Sequence, residues 1–347
     1  MIDCIRLKDQ PSLNHPLFHN HVIQEIPRNF PNMATNEDAV NWQVWHSTGM
    51  SCPEGTIPVR RVVSPNTGAA KRVTQGHEYA VGFMENPPKI YGTQVTMNVW
   101  HPKIENATEF SLGQLWLVSG SYENNDLNTI EAGWQVYPHI YGDSQPRLFI
   151  FWTRDAYNTA WCYNLRCAGF VQTSRTIVIE GAISPTSTFG GMQTDLTIQI
   201  WKDPEHGSWW LGVGFNNGTV LSPVGYWPTS IFTHLAESAE IVRWGGEIVN
   251  SNTYGRHTET QMGSGYFPDI GSGKSAYMRD LEISVTKGVF QPVYHLNVTA
   301  TNPDYYKVKM SSNTSFYYGG FQHAGAVQLR LLYSVILYFS FCLFLLF

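Results

Sequence analysis

From about residue 92 onward, hydrophobic and polar positions alternate with a period of two. Gln94-Val95-Thr96-Met97-Asn98-Val99-Trp100 and Asp195-Leu196-Thr197-Ile198-Gln199-Ile200-Trp201 are the clearest runs. Gly113 to Val118, Arg147 to Thr153, Thr176 to Ile183, Ile241 to Val249 and Asp280 to Val285 are further strand candidates, separated by turns rich in Gly, Asn, Asp and Pro. Many short strands of this kind predict an antiparallel sandwich or barrel. One segment has helical period: Ile231, Phe232, Leu235, Ala236 and Ala239, after Pro228 and a candidate cap at Ser230. The expected fold is all-β, an antiparallel β-sandwich with one short helix.

Residues 1 to about 75 break this rhythm. They are rich in Pro and His, with turn clusters at Pro11-Ser12-Leu13-Asn14 and Ser64-Pro65-Asn66-Thr67-Gly68. Val22 to Ile26 and Ile57 to Arg61 are the amphipathic runs they offer to a core. A unit so small is marginal alone, and it reads as a small appended module.

Composition narrows the class. Charged residues and aromatics each make up 14% of the 347 residues, and the net charge is -5. So few charges exclude a disordered or coiled-coil protein. The slightly acidic balance, with no Lys/Arg cluster, excludes a nucleic-acid binder. Of the five cysteines, Cys342 lies in the terminal tail. The other four allow three pairings, of which Cys4–Cys52 and Cys162–Cys167 is the simplest. Cys162 and Cys167 would otherwise be half of a metal site, but no second ligand pair stands at zinc-like spacing. Asn106, Asn217, Asn297 and Asn313 open glycosylation sequons, a weak pointer to secretion.

The two ends differ. Met1-Ile2-Asp3-Cys4 contains no apolar run of the kind a signal peptide needs. Leu331 to Phe347 is a charge-free apolar tail. It has three readings: translated intron beyond the true last exon, the removable tail of a GPI signal, or a minimal membrane span.

Common catalytic motifs are absent: no G-x-S-x-G, no H-E-x-x-H and no Asp-Thr/Ser-Gly. Gly271-Ser272-Gly273-Lys274-Ser275 lacks the first glycine of a phosphate loop, because position 268 is proline. His15, His19 and His21 have metal-like spacing, but Pro16 breaks the helix that would align the first two. No metal or cofactor is expected. What remains is two carboxylates in apolar settings, Glu131 in Glu131-Ala132-Gly133-Trp134-Gln135-Val136 and Glu247 in Trp244-Gly245-Gly246-Glu247-Ile248-Val249. Desolvation is expected to raise the pKa of such groups. Facing each other, they would titrate as a pair with one proton retained. Such a pair would be a general base and a general acid made from two like residues, and pattern alone goes no further.

At these residues the chain resembles the neprosin family of plant glutamic peptidases. The likeness runs through the two Glu motifs, Tyr141-Gly142-Asp143, Cys162-Tyr163-Asn164-Leu165 with Cys167, and Gly169-Phe170-Val171-Gln172. It continues through Ile200-Trp201-Lys202-Asp203-Pro204, Gly225-Tyr226-Trp227-Pro228 and Thr260-Gln261-Met262-Gly263-Ser264-Gly265. The first sixty residues are similar to that family's activation domain, in Asp3-Cys4-Ile5, His15-Pro16-Leu17, Cys52-Pro53 and Gly55 to Arg61. The resemblance covers roughly residues 2 to 320.

It implies a secreted zymogen with a β-sandwich peptidase domain, cleaving after proline at acidic pH once its inhibitory amino-terminal domain is removed. Glu131 and Glu247 match the catalytic positions, with base and acid roles unassigned; the alternatives to a peptidase are a catalytically inactive extracellular or cell-wall binding sandwich and a two-carboxylate glycoside hydrolase. Cys162 and Cys167 match the family's paired cysteines. Expected partners are Pro-containing peptides and the chain's own prodomain, with a membrane only if the tail is genuine. The implied organisation is an activation-like domain over 1–75, a linker with the processing bond over 76–91, a peptidase domain over 92–320 and a divergent tail over 321–347. Three features depart from the family: the missing signal peptide, the tail, and a longer loop around Asn216 to Thr219.

Overall fold

A computed structural model of the chain describes residues 1–14, 16–18, 21–25, 27, 42–49, 51–61, 75–85, 87–216, 221–252 and 255–321. His15, His19, Asn217, the turn cluster at 64–68 and the tail from Leu331 lie outside the described residues. The first strands are β1 (Ile2–Arg6), β2 (Thr56–Arg60), β3 (His77–Met84), β4 (Gly92–Asn98), β5 (Ser111–Ser119) and β6 (Asn128–Val136). There follow β7 (Arg147–Thr153), β8 (Trp161–Tyr163), β9 (Val171–Gln172), β10 (Asp195–Lys202), β11 (Trp209–Phe215) and β12 (Ser222–Trp227). The last are β13 (Ile241–Val249), β14 (Ala276–Thr286), β15 (Val289–Pro292), β16 (Leu296–Ala300), β17 (Lys307–Ser312) and β18 (Ser315–Gly319).

These strands build two large antiparallel sheets. One has the order β16-β3-β13-β5-β6-β7-β8; the other runs β17-β18-β14-β4-β10-β11-β12-β9, with β15 paired to β14. Period two decides what lies between them. Leu115, Leu117, Ile130, Ala132 and Trp134 of the first sheet meet Val95, Met97, Leu196, Ile198 and Ile200 of the second in one buried cluster. Trp134 and Trp244 carry their polar edges into this layer without leaving them unpaired. Trp134 Nε1 donates to the Asn98 carbonyl oxygen at 3.1 Å, and Trp244 Nε1 to Thr93 Oγ1 at 3.0 Å.

The expected sandwich is present, and Arg147 to Thr153 and Ile241 to Val249 form strands over their predicted lengths. Two predicted elements are corrected. The segment from Ile231 to Ala239 is not a helix; only a 3-10 turn at Thr229–Ile231 forms there. Its backbone is claimed by neighbouring side chains. Asn128 Oδ1 accepts from the amides of Thr233, His234 and Leu235, while the Leu235 carbonyl accepts from Trp209 Nε1 and Lys202 Nζ. The apolar residues still bury, but without i to i+4 bonds. A single α-helical turn, Pro138–Tyr141, is the α-helix found among the described residues.

Thr176 to Ile183 is likewise not a strand but a run touching its neighbours through isolated bridges. The Gln43 side chain takes the place of a strand partner, donating to the Val178 carbonyl and accepting from the Val178 amide, both at 2.8 Å. No helix among the described residues is long and apolar enough to cross a membrane.

The amino-terminal residues do not stand alone as a module. β1 pairs β2, and Cys4–Cys52 closes the unit. Phe18 and Trp42, however, are buried in the main core, where Trp42 stacks on Phe215 with ring centroids 5.7 Å apart. Arg60 Nη1 lies 3.3 Å from Glu180 Oε2, an ion pair between this unit and the sandwich. Nor are residues 76–91 a linker. Eight of them form β3, inserted between β13 and β16 in the first large sheet.

Candidate active site

The same alternation that sends Trp134 and Trp244 inward sends the residues three positions away to the opposite face. In β6 that is Glu131; in β13 it is Glu247. They are 116 residues apart in the chain, yet only β5 separates them in the sheet. Register then selects the residue between them. Glu247 pairs with Leu112 and Glu131 with Trp116, which leaves Gln114 at the midpoint of β5 on the same face.

Gln114 Nε2 donates to Glu247 Oε2 at 3.2 Å and to Glu131 Oε2 at 3.3 Å. One amide thus bridges both carboxylates. Gly133, directly opposite Gln114, makes the approach close enough. A Cβ there would stand 2.0 Å from the Gly113 carbonyl oxygen and 2.7 Å from Gln114 Cα.

The remaining oxygens have separate partners. Glu131 Oε1 accepts from Thr129 Oγ1 at 2.8 Å and from the Tyr157 hydroxyl at 2.9 Å. Glu247 Oε1 accepts from His77 Nδ1 at 2.5 Å. Both carboxylates are buried, with 7% and 5% of their residues' surface exposed. Burial pushes Glu131 up to about 7; the Glu247 charge adds to the rise, and the bonds from Thr129, Tyr157 and Gln114 oppose it. Burial and the neighbouring carboxylates raise the Tyr79 phenol strongly, so it stays protonated as a donor beside Glu247. Glu131 therefore carries a proton across the acid range. In the pair, it is the proton-holding member.

These groups sit on the floor of a solvent-open cleft of about 210 Å³. Its walls are aromatic: Tyr79, Phe110, Trp116, Tyr157, Trp161 and Tyr163 are among the lining residues. Tyr122, Tyr157, Phe151 and Trp161 form a stack along one side, with successive ring centroids 6.0, 5.6 and 5.9 Å apart. An aromatic-walled cleft over two carboxylates can pack a peptide side chain beside the reacting bond.

The structure brings Glu131 and Glu247 together; the other residues singled out by sequence lie elsewhere. Cys162–Cys167 closes the turn after β8, whose Trp161 and Tyr163 line the cleft. Cys4–Cys52 belongs to the amino-terminal unit. Asn297 lies in β16 and Asn313 in the exposed β17–β18 turn. Asn106 uses its side-chain nitrogen on Glu109 Oε1 at 3.3 Å and Ser251 Oγ at 3.2 Å. His21 contacts the Tyr226 hydroxyl at 2.7 Å, away from any acidic cluster. Among the described residues no group of three His, Cys, Asp or Glu side chains is arranged to hold a metal ion.

Sequence reasoning missed Gln114, His77, Tyr79, Thr129 and Tyr157. Gln114 alone carried a signal, as the one long polar side chain in Leu112-Gly113-Gln114-Leu115.

Residues 107–321 match a family model described as Neprosin, and residues 1–81 match one described as Neprosin activation peptide. Among solved structures, scytalido-glutamic peptidase with a transition state analog inhibitor matches 72% of this chain and 100% of its own length, at 9% identity and a TM-score of 0.38. SCP-B, a member of the Eqolisin family of peptidases in complex with the tripeptide Ala-Ile-His, matches over the same shares at 11% identity and a TM-score of 0.34.

Proposed function

The chain belongs to the neprosin family, as a glutamic-type peptidase with an activation domain, and from that premise we propose that Glu131 and Glu247 are its catalytic pair. We further read it as a secreted zymogen whose mature form cleaves after proline at acidic pH. The observation that carries the catalytic assignment is the shared Gln114 donor, which holds two buried carboxylates over one aromatic cleft.

The differing environments divide the work. Glu247, ionised, takes a proton from a water whose oxygen attacks the scissile carbonyl carbon. Glu131, protonated, donates a hydrogen bond to the carbonyl oxygen as negative charge develops there. Collapse of the tetrahedral intermediate re-forms the carbonyl and breaks the C–N bond. The departing nitrogen receives the proton Glu247 had taken, and the acid product leaves with the water's oxygen. Glu131 must keep its proton, so the reaction favours acid, and its position near 7 marks the upper edge.

The aromatic walls support the substrate reading. A pyrrolidine ring is flat-sided, apolar and conformationally fixed, and it packs on aromatic faces without losing a hydrogen bond. The two disulfides suit an oxidising compartment, in keeping with secretion.

The test is direct. The acid-treated, purified protein is incubated with Pro-containing peptides and with a glycan panel, beside Glu131→Gln and Glu247→Gln. Each substitution is expected to lower kcat/KM by about 10²–10⁴-fold. Wild type that cleaves no peptide, or variants that keep wild-type rates, would remove the assignment. Glycan hydrolysis would move it to another enzyme class.

A further inference from the structure

Four adjacent strands each contribute one side chain to a single row across the cleft floor: His77 from β3, Glu247 from β13, Gln114 from β5 and Glu131 from β6. We propose that His77 is a positioning residue of the peptidase, a cation that orients Glu247 and holds it in the charged form needed to activate water. This rests on the catalytic reading of Glu131 and Glu247 given above.

The geometry supports a charge-bearing role over simple packing. His77 Nδ1 is 2.5 Å from Glu247 Oε1, so the ring nitrogen, not its edge, addresses the carboxylate. The ring is clamped from two sides. Tyr79 lies nearly parallel at 6.3 Å between centroids, and Phe110 meets it edge-on at 5.9 Å. The His77 side chain is 28% exposed while that of Glu247 is 7% exposed. The histidine is thus the solvent-facing member of the pair.

Of the titratable groups lining the cleft, Glu247 from β13 and Tyr79 from its own strand contact His77; Glu131 lies three strands away on β6, and Tyr122, Tyr137, Tyr157 and Tyr163 complete the set. Burial and the two carboxylates keep the Tyr79 phenol neutral. In this proposal the His77 imidazolium sets a positive charge against the Glu247 carboxylate, with Glu131 the proton-holding acid of the row. Removing the imidazolium leaves the Glu247 carboxylate with two neutral donors, Gln114 and Tyr79. Such a carboxylate gives up its charge sooner as protons become abundant.

A neutral substitution should thus narrow the working pH range from the acid side. His77→Gln and His77→Lys, each in the full chain activated as for wild type, are compared over pH 2.5–7.5 with one Pro-containing peptide. Tm is measured to establish that each folds. His77→Gln is expected to lose about tenfold in kcat at its optimum, with KM within about twofold. Its acid limb should move up by about one pH unit. His77→Lys, which restores a cation, should return the acid limb toward wild type even where kcat stays low.

An acid limb unchanged in a folded His77→Gln enzyme overturns the proposal. So does a limb that moves equally in both variants, since lost packing would do that. Wild type inactive on every peptide is a different failure. It removes the catalytic reading first and this inference with it.

Discussion

The Tyr157 hydroxyl donates to Glu131 Oε1 across 2.9 Å, and it is one of three donors that counter the effect of burial on that carboxyl. Burial and the Glu247 charge set Glu131 near 7; the Tyr157 bond restrains it from rising further. Tyr157→Phe keeps the ring in its stack and deletes only the donor. If Glu131 acts as the acid, its pKa sets the alkaline limb of kcat/KM. That limb is expected to move to higher pH by roughly half a unit or more. Thr129 still bonds the same oxygen, so much of the maximal rate should survive. A limb that stays put, or moves toward acid, would argue against Glu131 as the proton holder.

Gly133 is where backbone geometry governs the chemistry most directly. Any β-carbon there meets backbone atoms of Gly113 and Gln114, which have no rotamer to retreat into. Gly133→Ala must therefore part β5 from β6 locally, at a cost of about 1–3 kcal/mol or more. It must also draw Gln114 away from one or both carboxylates. A lowered Tm together with a kcat loss exceeding the KM change is the expected outcome. A variant as stable and as active as wild type would mean that the Gln114 bridge is dispensable.

The parts of this architecture that depend on alternation were legible in the sequence, and the parts that depend on partners were not. β13 opens on an alternating run and β7 is a short apolar run buried on both faces, so each was marked locally as a strand. Each Glu stood out in the sequence as a lone acid beside small residues and a Trp in a strand-like run. The Ile231–Ala239 segment shows the limit. Its apolar spacing suits a helix, but Asn128, Lys202 and Trp209, each from a distant strand, take over its backbone groups. His77 shows another limit, because a lone histidine inside a supposed linker has no periodicity to mark it. Its meaning comes from β3 lying next to β13. That adjacency is a property of sheet order, not of local sequence.

The placement of β3 also bounds where the activation domain can be cut. Residues His77 to Phe83 pair with β13, and Ala80 to Met84 pair with β16. A cut within 85–91 would take this strand away with the prodomain and separate β13 from β16. The processing bond is therefore expected before His77, and not across the whole 76–91 interval. Mass spectrometry of the acid-activated protein should find a mature chain that begins before residue 77. An active species beginning after Met84 would contradict both the fold argument and the role given to His77.

Docking of the amino-terminal unit should itself respond to pH. His46 Nε2 donates to the Thr176 carbonyl at 2.5 Å, while its Nδ1 is buried without a hydrogen-bond partner. A second proton would put a charged donor where no acceptor waits. His21 sits against the Tyr226 hydroxyl, which also accepts from the Gln24 amide. Burial lowers both histidines from their usual 6.5. The sign follows from linkage: a histidine with a lowered pKa binds fewer protons when docked than when free. Falling pH then favours separation, beginning near 6.5 and increasing below it. Neither disulfide ties the unit to the sandwich, because Cys4 and Cys52 both lie within it. In chains nicked before His77, size-exclusion chromatography should show the fragments together at pH 7.5 and increasingly apart below about 6. His46→Gln, which retains a donor for Thr176 and cannot take the second proton, should flatten that dependence. Separation that is independent of pH, or tighter in acid, would rule out these two histidines as the cause.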